Sequence, residues 1–276
     1  MSRLRQRLLF ERFLVRVFAL LGDTVLLKGG VVLELRLSRA RATRDVDLRC
    51  TGQPNDVLAR LREAGRSSME DLLLFEVGDE PRGHTIQGES MVYEGRRFRA
   101  QARLDGRPYG EPFGVDVAFG DVLVGAPEVI EGSDFLAFAG LPRSKLRVYP
   151  REAHVAEKLH AYTLPREREN SRVKDLPDLA LLAQTGSFDG RLLRTAFVKT
   201  FSFRRTHSLP VTLPRPPASW EAPYKRMARD DGLPWRTLEG AHRAARAFVE
   251  PVLSGNAEVW NPDSQVWQTR GATERA

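Results

Sequence analysis

Lys28-Gly29-Gly30, then fourteen residues, then Thr43-Arg44-Asp45-Val46-Asp47-Leu48 form the stretch that sets the expected fold and chemistry. From Asp45 to Arg49 polar and apolar residues alternate strictly, the period of a strand with two different faces. Side chains two apart on a strand leave the same face, so Asp45 and Asp47 point together while Val46 turns into a core. Neighbouring carboxylates repel, and one of them holds its proton unless a cation lies between them. A divalent ion such as Mg²⁺ removes that penalty and keeps sites for a phosphate-bearing ligand. Gly29 and Gly30 lack a Cβ, which lets backbone N–H groups approach a triphosphate closely. A lone Asp-x-Asp describes many solvated strand edges, and the diglycine beside it makes this one a site candidate.

A third acid lies downstream. Phe113-Gly114-Val115-Asp116-Val117-Ala118-Phe119 has Asp116 as its single charge. A carboxylate in such a run is costly unless it is paired or metal-bound. If this strand lies beside the Asp45–Asp47 strand, three carboxylates converge as two-metal nucleotidyl transfer requires. The competing expectation is a structural Asp116 that accepts a backbone hydrogen bond. Asp121 follows Gly120 and is read as a turn residue.

Outward from these motifs, residues 5–21 carry apolar side chains at helical spacing with Glu11, Arg12 and Arg16 between them, which predicts an amphipathic helix. Thr24–Leu27 reads as a buried strand or the start of a second helix, and Val31–Leu37 as a helix. Asn55–Glu63 is expected to be a helix capped by Asn55 or Asp56. Strands are expected over Leu72–Val77, Thr85–Tyr93, Arg97–Leu104 and Gly114–Phe119. After Tyr149-Pro150 the pattern turns helical: Glu152–Tyr162, Leu176–Ala183, Gly190–Thr200, Ser219–Arg229 and Leu238–Leu253, with a proline-rich extended linker or loop over Leu209–Pro217. The expected class is α+β, an N-terminal mixed sheet with flanking helices and a C-terminal helical lobe. The expected boundary lies near residue 150, giving units 1–150 and 151–276.

In the second half Lys158 sits among small residues on its helix, where a lysine can neutralise phosphate charge. Arg172-Val173-Lys174-Asp175-Leu176-Pro177-Asp178 sets acids at a helix start, and capping by Asp175, with Asp178 in the first turn, is a rival to any catalytic role. His154 and His160 are not spaced as metal ligands and read as packing or surface residues. Trp260 and Trp267 are expected to pin the tail to the body.

With 43 Lys+Arg against 36 Asp+Glu the chain carries a formal charge of +7. A basic surface favours polyanionic partners such as RNA. The single cysteine, Cys50, excludes an intramolecular disulfide and fits a reducing cytoplasm. The apolar stretch from Leu8 to Leu21 is interrupted by charges and too short to span a bilayer, so no membrane partner is expected.

Taken in order, Lys28-Gly29-Gly30, Thr43 to Leu48, the isolated Asp116, Glu157-Lys158-Leu159 and Arg172 to Asp175 resemble the motif set of the AbiEii/MenT-type nucleotidyltransferase toxins of the DNA polymerase β-like superfamily. The resemblance runs from about Leu14 to Leu182 and continues more loosely to Trp267. It implies a nucleotidyltransferase fold, a nucleoside triphosphate with Mg²⁺ or Mn²⁺ as cosubstrates, and a separately encoded antitoxin. Transfer onto the 3′ end of tRNA, which blocks translation, is the activity of some members. It further implies Asp45 and Asp47 as metal ligands, joined by Asp116 in the reading above. Lys158 and Asp175 become a second essential pair, Lys158 holding nucleotide phosphates. Nucleotide binding falls to Lys28, Gly29, Gly30, Thr43, Arg44 and Lys158. This chain has Gly-Gly where other polymerase β-like enzymes carry Gly-Ser, so the serine hydroxyl is replaced by backbone N–H, Lys28 or Thr43. Two alternatives stand beside this reading: modification of a protein hydroxyl, and a non-catalytic basic RNA-binding module.

Overall fold

A computed structural model describes residues 3–37, 40–52, 54–80, 95–120, 122–165 and 172–269. The first half contains α1 (Arg3–Leu21), β1 (Val25–Lys28), α2 (Gly30–Arg36), β2 (Asp45–Cys50), α3 (Val57–Arg66), β3 (Leu73–Asp79), β4 (Gly95–Leu104), β5 (Arg107–Pro108), β6 (Phe113–Phe119), β7 (Glu128–Glu131) and β8 (Lys145–Val148). The second half contains α4 (Arg151–Thr163), α5 (Asp175–Leu182), β9 (Phe188–Asp189), α6 (Gly190–Arg204), α7 (Glu221–Asp230), α8 (Leu238–Ser254), β10 (Ala257–Asn261) and β11 (Val266–Thr269). The architecture is the expected mixed sheet with flanking helices followed by a helical lobe. The strand expected over Thr85–Tyr93, like Asp121, lies outside the described residues.

The 8-stranded sheet runs β3-β4-β6-β2-β1-β8-β7, with β5 on β4. β1 is buried along its whole length and pairs antiparallel with β2 and parallel with β8. Of the stretch Thr24–Leu27, Thr24 closes a 3₁₀ turn and Val25–Leu27 are strand and not a helix start, as suits apolar residues in a sheet centre. β2 pairs parallel with β6 in a register that sets Asp45 opposite Gly114 and Asp47 opposite Asp116.

One apolar core fills the space between this sheet and α1, α2 and α3. Phe10 and Phe13 meet Phe113 edge-on at centroid separations of 5.0 and 5.6 Å, and Phe13 meets Phe75 at 5.3 Å. The expected charged stripe on α1 needs correction, because Glu11, Arg12 and Arg16 are buried. Each charge is matched inside the fold. Asp71 takes Arg16 at 2.5 Å, and Glu11 accepts from the Ser133 backbone and hydroxyl, both at 2.7 Å. Such pairing is what makes buried charge tolerable. The cap expected for α3 is also absent: Asn55 and Asp56 belong to a short 3₁₀ turn, and Asp56 makes no capping hydrogen bond.

A second core lies among α4, α5, α6, α7 and α8, and Leu33, Ala40 and Val124 from the first half belong to it. The proline-rich stretch is a strap: Leu213 is buried, and the Pro214 carbonyl accepts from Tyr162 Oη at 2.7 Å and His242 Nε2 at 3.0 Å. The tail forms a β10–β11 hairpin against β9. Trp260 donates to the Ala183 carbonyl (2.7 Å), and Trp267 donates to that of Phe248 (2.8 Å) while stacking on its ring. Both tryptophans pin the tail as expected. Among the described residues no helix is long and apolar enough to cross a membrane.

Candidate active site

The β2–β6 register gathers Asp45, Asp47 and Asp116 on one face of adjacent strands, which run about 4.8 Å apart. They line a cleft of about 510 Å³ together with Lys28, Gly29, Gly30, Thr43, Lys158 and Asp175. Nine of the ten residues singled out from the sequence thus share one cavity. The tenth, Arg44, is exposed and faces a neighbouring depression beside Arg3, Glu34 and Pro112, with Thr43 between the two.

Glycines make the acidic row sterically possible. Gly29, at φ +71°, sits where β1 turns into α2, and a Cβ there would overlap the Asp47 carboxylate. A Cβ on Gly114 would press on Asp45 Oδ1 from the neighbouring strand. The diglycine is expected to leave room for a triphosphate; the space beside Gly29 is instead taken by the Asp47 carboxylate. Gly114 was not singled out in the sequence, because its role appears only once the register is known.

Burial, and next the charge of Asp116, push the Asp47 carboxyl up to about 6. Asp116 itself receives Arg97 from β4 in a two-pronged contact of 2.6 and 2.5 Å. The structural expectation for Asp116, a backbone hydrogen bond, is therefore replaced by an ion pair with a cation that is itself half-exposed.

The opposite wall comes from the helical lobe. On α4, Glu157 accepts from Lys28 Nζ at 2.9 and 3.2 Å, which ties β1 to α4, and Arg204 of α6 lies 3.5 Å from the same carboxylate. Next along α4, Lys158 Nζ lies 3.0 Å from Asp175 and 2.8 Å from Asp178. Asp178 lies in the first turn of α5 as expected, but Asp175 is in that turn too and makes no cap hydrogen bond; both acids are fully buried and serve Lys158, so the capping expectation for Asp175 is corrected. Asp178 also takes Arg41 in a fork of two 2.9 Å bonds. Burial alone would raise the Asp178 carboxyl, but Arg41 and then Lys158 hold it well below the usual range. Arg41 and Asp178 are 137 residues apart, so no local pattern could have paired them. His154 and His160 are packed residues as expected; burial pushes the His154 imidazole down to about 3, so the ring is neutral.

The site fits a divalent ion in its donor chemistry. Asp45 and Asp47 face the cleft side by side, and the burial and neighbouring negative charge that raise the Asp47 carboxyl are what a bound divalent cation would offset. Among the described residues there is no closed set of three His, Cys, Asp or Glu ligands, consistent with Asp116 being taken up by Arg97.

The chain thus combines a mixed sheet that carries paired acids beside a glycine bend with a helical wall that bears a lysine. The family model described as "Nucleotidyl transferase AbiEii toxin, Type IV TA system" matches residues 12–247, and the chain belongs to this toxin family. Among solved structures the chain is similar to MenT4, a nucleotidyltransferase toxin from Mycobacterium tuberculosis H37Rv, with 20% identity and a TM-score of 0.50 over 92% of this chain and 99% of that one. It also matches JHP933 from Helicobacter pylori, with 15% identity and a TM-score of 0.48 over 90% and 92% of the two chains. No curated protein matches it.

Proposed function

We propose that this toxin transfers a nucleoside monophosphate from a nucleoside triphosphate to the terminal hydroxyl of an RNA, the 3′ end of tRNA being the favoured acceptor, and thereby blocks translation in the cytoplasm. The observation that carries the reading is the cluster of Asp45, Asp47 and Asp116 on one face of β2 and β6, with Asp47 level with Asp116 and against Gly29. In the reaction an RNA hydroxyl oxygen attacks the α-phosphorus in line, its proton leaves, and pyrophosphate departs. Asp45 and Asp47, with Asp116 once released by Arg97, are the residues to hold Mg²⁺ or Mn²⁺. Such an ion supplies charge neutralisation for the phosphates. Lys28, Thr43 and the Gly29-Gly30 backbone line the same wall and orient the triphosphate. Lys158 and Asp175 form the facing wall. The net charge of +7 supports a nucleic-acid acceptor. Residues 1–150 are assigned as the catalytic unit and 151–276 as the lobe that completes the site. The family implies a separately encoded antitoxin as partner.

Labelled nucleoside triphosphates, Mg²⁺ and total tRNA test this directly, with products resolved on RNA and protein gels. The expected outcome is labelled RNA with wild-type protein and a loss of at least about 10³-fold for Asp47→Ala at unchanged fold. Label on protein instead would select the protein-hydroxyl alternative. Label on neither, from folded protein with each nucleotide, would sink the enzymatic proposal.

A further inference from the structure

The cations that line the cleft are not equivalent. Lys28 is held by Glu157, Arg41 by Asp178, Arg97 by Asp116, and Lys158 by both Asp175 and Asp178. Arg172 and Arg204 each have a carboxylate at 3.5 Å. Lys174 lines the same cleft, is exposed, and has no hydrogen bond or salt bridge to any described residue.

We infer that Lys174 is the cation that meets the polyphosphate of the incoming nucleotide, and that Lys158 stays between its two acids as a positioning residue. This rests on the nucleotide-binding reading of the cleft given above. For Lys158 to reach a phosphate it must leave two fully buried carboxylates, and stranding buried charge is heavily unfavourable. Lys174 gives up only water. Its surroundings also favour an anion. Partial desolvation, then the positive charges of Arg41 and Lys158, lower its hold on its proton, and Asp175 and Asp47 act the other way. An arriving phosphate relieves that crowding. Sequence places Lys174 directly before Asp175, so the helix start that delivers an acid to Lys158 also swings this lysine to the mouth of the cleft.

Titration calorimetry with inorganic tripolyphosphate, which carries the phosphate charge without a base, tests the assignment on the full chain. Lys174→Met should weaken binding about tenfold and Lys174→Arg should restore it to within about threefold, each with an unchanged melting temperature, since the residue is exposed. Lys199→Met, an exposed lysine on α6 outside the cleft, reports the loss of one general charge and should change binding less than about twofold. In the labelling reaction Lys174→Met should raise KM for the nucleotide about tenfold and leave kcat within about threefold. Equal binding of tripolyphosphate by the wild type and Lys174→Met overturns this inference and leaves the nucleotide reading standing. Wild-type protein that binds neither tripolyphosphate nor any nucleoside triphosphate overturns both.

Discussion

The Arg41–Asp178 fork spans the two halves, and its removal has a consequence that can be worked from the structure. Arg41→Met keeps most of the side-chain volume and deletes the guanidinium. Asp178 is then left, with no exposed surface, facing Lys158 alone. Breaking a buried ion pair from one side costs about 3–5 kcal/mol, and the surviving lysine argues for the lower end, about 3 kcal/mol. For a chain of this size that corresponds to a melting-temperature loss of roughly 6–12 °C. The pH dependence follows in sign. Asp178 is held below the usual carboxylate value, so its contribution is complete above pH ~4 and fades as pH falls below that range. Without Arg41 the folded-state carboxyl rises toward the ordinary value, so the acid-dependent loss is smaller and is complete at a higher pH. Urea unfolding of Arg41→Met, Asp178→Leu and the double variant closes the cycle. We expect a coupling of at least about 2 kcal/mol, with the double variant recovering part of the single-site loss. A single-variant loss under about 1 kcal/mol, or strictly additive effects, would refute the idea that this fork ties the two halves together.

Gly29→Ala should remove transfer activity and destabilise the fold by about 1–3 kcal/mol, because it adds both a methyl group against Asp47 and strain at positive φ; a fully active variant with a wild-type melting curve would contradict the packing described. Asp47 makes the ligand-free protein less stable as pH rises from about 4 toward about 6, since the folded form keeps a proton that the unfolded chain gives up. Asp116→Asn removes one of the two causes and should bring the Asp47 titration, followed by carboxyl carbon NMR, down toward the ordinary range. Finding wild-type Asp47 already near 4 would remove the basis for both statements.

The strands that carry the acids were legible because their residues alternate or run apolar without local competition: Asp45 to Arg49 and Phe113 to Phe119 fix their own faces. β7 and β8 went unread, although Lys145-Leu146-Arg147-Val148 does alternate, since four-residue segments give too little period to stand out. β10 and β11 were hidden by tryptophans that read as anchors rather than as a hairpin. On α1 the charged residues suggested a wet face, and only the position of Asp71 and Ser133 far along the chain reveals that they are interior. Asp45 and Asp47 follow from strand spacing and Asp116 from its lone charge, whereas the partners Arg41 of Asp178 and Arg97 of Asp116 depend on long-range pairing that no local pattern encodes. Lys158 lines the cleft; what the sequence could not tell is how fully its charge is already engaged.

The short connection from Ala40 to Thr43 reaches into both halves at once. Ala40 is embedded in the helical core, Arg41 grips α5, the Ala42 amide donates to Asp231 beyond α7, and the Thr43 amide donates to Glu34 of α2. A polypeptide cut at residue 150 would therefore leave the first fragment with a dangling guanidinium and an uncovered alanine, and the second with an orphaned acid in its interior. Neither piece is a self-sufficient building block, so attempts to reassemble the toxin from separately expressed halves should demand that the fragments meet before either is fully ordered.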